Sequence, residues 1–218
     1  MKPLELLDEH CLFANVHDVY VLLGVARKKD NKNITNSQEV VFREIIKDYD
    51  NIEKKYTKLK TQCENYKTAD DKKLNFYIYI SVNGRDVRKG YFAFKNQMLK
   101  YEKEILFGTD CHNQLKRVDS IWLSAIMKPE SRSLENRRFM LDIDTKDVDK
   151  IKIIETCISN IGGYIMTRQA TKHGWHYITK PFNKQEFNKH IFSIAEKDDC
   201  EIKDDALLFV EHIEGDEK

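Results

Sequence analysis

The sequence predicts an α+β protein, a mixed or antiparallel sheet with packed helices. Three observations carry that prediction. Runs rich in aromatic and β-branched residues recur between turn residues: "LNFYIYISV", "RRFMLDID", "YIMTRQ", "GWHYITKPF" and "ALLFVEHI". Other stretches place apolar residues three or four apart, the helical period. In the second half the order reads strand, helix, strand, strand, helix, strand, with too few helices for a doubly wound sheet. A split βαβ arrangement fits that order better.

The chain of 218 residues suits one large domain or two small ones, and 41% hydrophobic content is enough for a core. Lys and Arg number 37 against 36 Asp and Glu, so at a net charge of +1 any nucleic-acid surface must be local. No apolar run approaches the roughly 20 residues of a membrane span, and "MKPLELLDEHCLF" lacks a signal-peptide core. The expectation is a cytoplasmic protein without a membrane partner. Five cysteines, an odd count with no CxxC pair, read as reduced thiols and not as a disulfide framework or zinc site.

Along the chain, "DVYVLLGVARKKDN" is an apolar strand or helix start that ends in Arg27, Lys28 and Lys29. "SQEVVFREIIKDYDNIEKKYTKLKTQCENY" has Val41, Ile45, Tyr49 and Ile52 at helical spacing and predicts one long amphipathic helix. Residues 1–74 therefore read as a helical, basic N-terminal region, and 75–218 as an α+β region forming one compact unit with it. "LNFYIYISV" runs into the turn "NGRD", which leaves Arg85 and Arg88 beyond a strand end. Helical pieces "YFAFKNQMLKYEKEIL" and "VDSIWLSAIM" follow, up to Pro129. After the strand "RRFMLDID", Val148, Ile151, Ile154 and Ile158 share a helix face that closes at Gly162 and Gly163. "NKQEFNKHIFSIAEK" predicts a further helix and "ALLFVEHI" the last strand.

Asp142 and Asp144 lie two apart at the end of a buried strand, so their carboxylates share a face. Like charges held there repel unless a cation or basic group joins them. Mg²⁺ and Mn²⁺ take such hard oxygen ligands, with substrate phosphates and water completing the shell. Thr171, Lys172, Gly174 and His176 form a polar turn leading into the next strand, and Gly174 permits unusual backbone there. His176 can donate to a phosphate, while Lys172 and Lys180 add positive charge. Arg27, Lys28, Arg85 and Arg88 are basic groups at strand exits, suited to nucleic-acid phosphates.

"FMLDID", a helix, then "TKHGWH" and "YITKPF" resemble the archaeo-eukaryotic primase superfamily, which includes primase-polymerases and the polymerase domains of bacterial end-joining ligases. That family carries D-x-D or D-x-E on a strand, then S-x-x-G-x-H, then a third acidic residue on a later strand. Here the matching residues are Asp142 and Asp144, then Thr171, Gly174 and His176, with threonine where serine is usual. The resemblance covers residues 137–182 and implies an RNA-recognition-like catalytic region with a two-metal nucleotidyl-transfer site. It implies Asp142 and Asp144 as ligands of Mg²⁺ or Mn²⁺, with Thr171 and His176 on the phosphates of a nucleoside triphosphate. The third acid is open among Asp204, Asp205 and Glu211, with Asp205 taken first. Single-stranded or primed nucleic acid is the implied partner, and a replication protein is a further expected one. The segments also resemble, loosely, proteins of large bacteriophages, which would put the chain in a host cytoplasm.

Two other readings stand beside this one. A primase-like fold lacking the third ligand would bind nucleic acid or nucleotide without turnover, with Tyr164, Trp175 and Tyr177 available to stack bases. Alternatively the chain docks on a host enzyme as an interaction protein, using the helix predicted near residues 38 to 66.

Overall fold

A computed structural model describes residues 2–108, 110–191 and 200–216. In chain order the elements are α1 (Pro3–His10), β1 (Asp18–Ala26), β2 (Val40–Ile46), α2 (Ile52–Asn65), β3 (Phe76–Ser81) and β4 (Arg85–Asp86). There follow α3 (Val87–Leu106), α4 (His112–Leu115), α5 (Val118–Ile126), β5 (Phe139–Ile143), α6 (Val148–Asn160) and β6 (Ile165–Ala170). β7 (Trp175–Thr179), α7 (Lys184–Ile191), β8 (Cys200–Lys203) and β9 (Leu207–Ile213) complete the chain. The α+β class stands. Among the described residues no helix is long and apolar enough to cross a membrane.

The strands form two sheets. The first has the order β2-β1-β3-β9, with β4 also pairing β1, and the second has the order β6-β7-β5-β8. Every pairing among the described residues is antiparallel, so of the two expected sheet types the antiparallel one is found and the mixed one is not. Parallel neighbours need long crossovers, and here each helix returns the chain to a strand that is not its immediate neighbour. Residues 139–203 run β5-α6-β6-β7-α7-β8, the split βαβ order.

The predicted helix of residues 37–66 divides. Its first part is β2, whose Val40 to Ile46 pair with Ala26 to Tyr20 of β1, and only Ile52–Asn65 are helical. Val41 and Ile45 satisfy the helical and the strand period at once. Their β-branched neighbourhood and the break at Asp48, which accepts from the Asn51 amide at 3.0 Å, decide for the strand. β1 and β2 thus join β3 and β9 across the 74/75 boundary. β8 has no counterpart among the predicted strands, and β9, read as the last strand of the catalytic region, belongs to the first sheet. The expected helix of 183–197 is seen as α7, and its residues 192–197 lie outside the described residues.

α6 ends as its glycines require. Gly162 sits at φ +71°, and the Gly163 amide donates to the Ile158 carbonyl at 2.8 Å. Against α6 and α7 the second sheet buries Leu141, Ile143 and Tyr177, which pack with Ile154, Ile158, Phe187 and Ile191. Each such aliphatic side chain contributes about 1.5–3 kcal/mol. The sheet's other face turns toward the first sheet, because Met140 and Ile178 share a core with Leu208 and Val210 of β9. Asp142 alternates with Leu141 and Ile143 and so lies on that inter-sheet face.

Candidate functional site

Strand register builds the site. Asp142 of β5 lies directly opposite His176 of β7 and Glu201 of β8, and Gln169 of β6 lies opposite His176. Paired residues project to one side, so these four make a polar row across the sheet. The lysine two positions past Glu201 shares their face. Lys203 Nζ lies 2.6 Å from Asp142 Oδ2 and 3.1 Å from Glu201 Oε2. On the other side His176 Nε2 is 3.3 Å from Asp142 Oδ1, while His176 Nδ1 accepts from the Phe209 amide at 3.2 Å. That acceptor role leaves the ring proton on Nε2, facing the carboxylate. A contact to β9 of the first sheet therefore orients the histidine.

The His176 bond and then Lys203 hold the Asp142 carboxyl down to about 2, against the opposing effect of burial. Burial opposes the Lys203 charge, but its bonds to Asp142 and Glu201 outweigh that and keep its ammonium above the usual lysine range. Burial pushes the Tyr79 phenol upward, Arg27 pulls against it, and the Asp142 charge adds to the rise. Arg27 stands over the Tyr79 ring at 5.7 Å. The partner that the aspartates need is thus, for Asp142, a pair of basic side chains.

Asp144 lies one residue past β5 and is exposed. The turn before β7 crosses directly over this strand end, since a Cβ on Gly174 would fall 1.8 Å from the Ile143 carbonyl oxygen. Only glycine fits. Thr171 closes the turn: its amide donates to the Gly174 carbonyl at 2.9 Å, and its hydroxyl accepts from the Gly174 amide at 3.0 Å. Asp144, Thr171, Gly174 and His176 are therefore neighbours. Lys172, on the same turn, lines a cleft of about 390 Å³ with Lys29, Lys32, Tyr77 and His212 of the first sheet's side. Arg27 and Lys28 border an open depression with Lys29 and Lys32.

Several expected residues fall elsewhere. Lys180 follows the far end of β7, four residues and about 13 Å of strand from His176, and stands over the Tyr164 ring. Asp205 is not beside Asp142: both its oxygens are taken by Arg85, at 2.6 and 2.9 Å. Arg85 is 1% exposed, so it is a structural group and not a phosphate contact. Arg88 pairs with Asp86 at 2.8 Å at the start of α3, beside Tyr91, Phe92 and Trp122. Tyr177 is buried on the helix side, where its hydroxyl donates to Glu155 at 2.9 Å, so it offers no face to a base.

Glu201 and Lys203 escaped the sequence reading. Their signal is the alternation in "CEIK", where Cys200 and Ile202 face the helices, and four residues are too few to separate from a turn. Among the described residues no three His, Cys, Asp or Glu side chains converge as a metal site. The donor chemistry nevertheless suits a hard cation, because Asp142 and Glu201 already share one positive group, the Lys203 ammonium. Comparison with protein-family models, with curated proteins and with solved structures finds no match.

Proposed function

We propose that the chain is a metal-dependent nucleotidyltransferase of the primase-polymerase kind, acting on nucleoside triphosphates and primed or single-stranded nucleic acid in replication or repair. One observation carries the reading. Carboxylates on two adjacent strands, Asp142 and Glu201, face one cation, with Asp144 at the strand end under the Thr171–Gly174 turn. The split βαβ order of residues 139–203 supports an RNA-recognition-like reading, and Asp142 and His176 of the polar row face the first sheet.

Asp142 and Glu201, the pair that shares the Lys203 ammonium, would hold Mg²⁺ or Mn²⁺ with substrate phosphates and water completing the shell, Asp144 standing one residue past β5 and Glu201 taking the role expected of Asp205. Bound there, the ions would supply Lewis acidity to the attacking 3′ hydroxyl and the leaving pyrophosphate. His176 fixes the Asp142 carboxylate through Nε2, itself held by the Phe209 amide. The Thr171 hydroxyl accepts from Gly174 and keeps its own proton to donate to a phosphate oxygen. Lys172 adds charge to the cleft it lines with Lys29 and Lys32, and Arg27 and Lys28 with Lys29 and Lys32 form a basic rim for nucleic-acid phosphates.

The test is nucleotide incorporation on primed and unprimed single-stranded templates with Mg²⁺ or Mn²⁺. Asp142→Asn and Asp144→Asn are expected to lower incorporation about 100-fold or more, the scale of losing an electrostatic anchor of the transition state. Full activity in both variants would remove the site assignment. A second reading, a binding protein without turnover, draws on one observation, that the Lys203 ammonium already occupies the place between Asp142 and Glu201. It expects nucleic-acid binding that survives a chelator, with no incorporation in the wild type.

A further inference from the structure

We propose that Lys203 is a resident cation of this site, its ammonium holding the place between Asp142 and Glu201 that a divalent ion would take. Ammonium and metal are then alternative occupants. The inference rests on the nucleotidyltransferase reading for the identity of the competitor, and on the geometry for the competition itself.

β8 is the edge strand of the second sheet, beside β5. Lys203 pairs with Met140 and Glu201 with Asp142, so the lysine stem runs back along its own strand to reach both carboxylates. At 2.6 Å and 3.1 Å the ammonium makes a charge-assisted bond to each. Asp142 has no second unengaged oxygen, since Oδ1 faces His176 at 3.3 Å. A divalent ion drawn to the Asp142–Glu201 pair therefore meets a like charge already in contact with both ligands, and two cations there repel.

Lysine suits such exchange better than arginine would. It is a compact point charge on a flexible stem, without the bidentate fork that locks a guanidinium to a carboxylate. Its side chain is 33% exposed, whereas the partner of Asp205, Arg85, is 1% exposed. Lys203 thus has solvent to move into, on the same face as the polar row. Without substrate the ammonium offsets one of the two carboxylate charges and holds the pair together. When metal and a triphosphate arrive, the displaced ammonium stays within reach of new anionic charge.

Mn²⁺ alone is the probe, with free Mn²⁺ counted by electron paramagnetic resonance in titrations of the full chain. Wild type is compared with Lys203→Met, with Lys203→Gln, whose amide can still donate to a carboxylate, and with Lys146→Met, which removes an exposed charge near Asp144. Thermal unfolding verifies that each variant is folded. The expected result is Mn²⁺ affinity at least tenfold tighter in the Lys203 variants. Lys146→Met should change it less than threefold, and adding Asp142→Asn to Lys203→Met should abolish the gain. Equal affinity in wild type and both Lys203 variants would overturn the competition and leave the metal reading intact. Tight binding by the Lys203 variants and none by wild type would sustain the resident cation and overturn metal-dependent catalysis. Absence of Mn²⁺ binding in every folded variant would overturn both.

Discussion

Asp142 has a basic group at each oxygen, and that determines how its charge affects stability. Its folded value, about 2, lies below the roughly 3.9 of an unfolded aspartate. A depressed carboxylate contributes stability that is present above the unfolded value and is lost as pH falls through the folded one. The loss is therefore confined to the window from about pH 4 down to about pH 2. The shift corresponds to about 2 kcal/mol, on a side chain only 23% exposed. Urea unfolding at pH 5 and pH 2.5 should show wild type losing about 1–2 kcal/mol more than Asp142→Asn. Equal losses would mean that His176 and Lys203 do not stabilise the charge. The aspartate and His176 were legible because an acidic strand end and a glycine turn leave local signatures. Glu201 and Lys203 were not, because their membership depends on register between strands nearly sixty residues apart.

At the scale of elements, β5, α6, β6 and β7 could be read because each carries its own period. Leu141 and Ile143 alternate with Asp142, and Ile151, Ile154 and Ile158 recur on one helix face. β2 was concealed by Val41 and Ile45, which suit both periods, and β8 by its length of four residues. What joins these elements at the site is a single close approach. The backbone of Gly174 lies so near Ile143 that a methyl group there would overlap a carbonyl oxygen at 1.8 Å, and that oxygen cannot rotate away like a side-chain tip. Gly174→Ala must move the turn or the strand end, and Asp144 or Thr171 with it. The expected destabilisation is about 4 kcal/mol, at the upper end for one substitution. It should be accompanied by loss of nucleotide binding even at temperatures where the variant stays folded. Denaturant midpoints together with a nucleotide-binding titration check both parts, and a variant with unchanged midpoint would disprove the close approach.

Over the whole molecule, Asn83 and Arg85, which follow β3, fasten the two sheets to each other, whereas Arg88 stays local on Asp86. Asn83 donates to the carbonyls of Arg138 and Asp204 and accepts from the Arg138 amide at 2.7 Å. Arg85 holds Asp205 in the turn that hands the chain from β8 of the second sheet to β9 of the first. Basic residues at a strand exit look the same in sequence whether they meet a phosphate or an aspartate 120 positions later. This geometry matters to the proposed site, because the inter-sheet face carries Asp142 and its orientation depends on His176 reaching Phe209 of β9. A buried pair of this kind is costly to break from one side, since the remaining charge is stranded, yet replacing both partners by apolar groups can be nearly neutral. Arg85→Met alone should therefore destabilise the protein by about 3–5 kcal/mol. Asp205→Leu alone should do likewise, and the double variant should recover most of the loss. The same cycle applied to nucleotide incorporation separates fastening from chemistry. If Asp205 served only to hold the sheets together, activity would return along with stability in the double variant. If stability returned without activity, Asp205 would have a role in the reaction beyond its bond to Arg85.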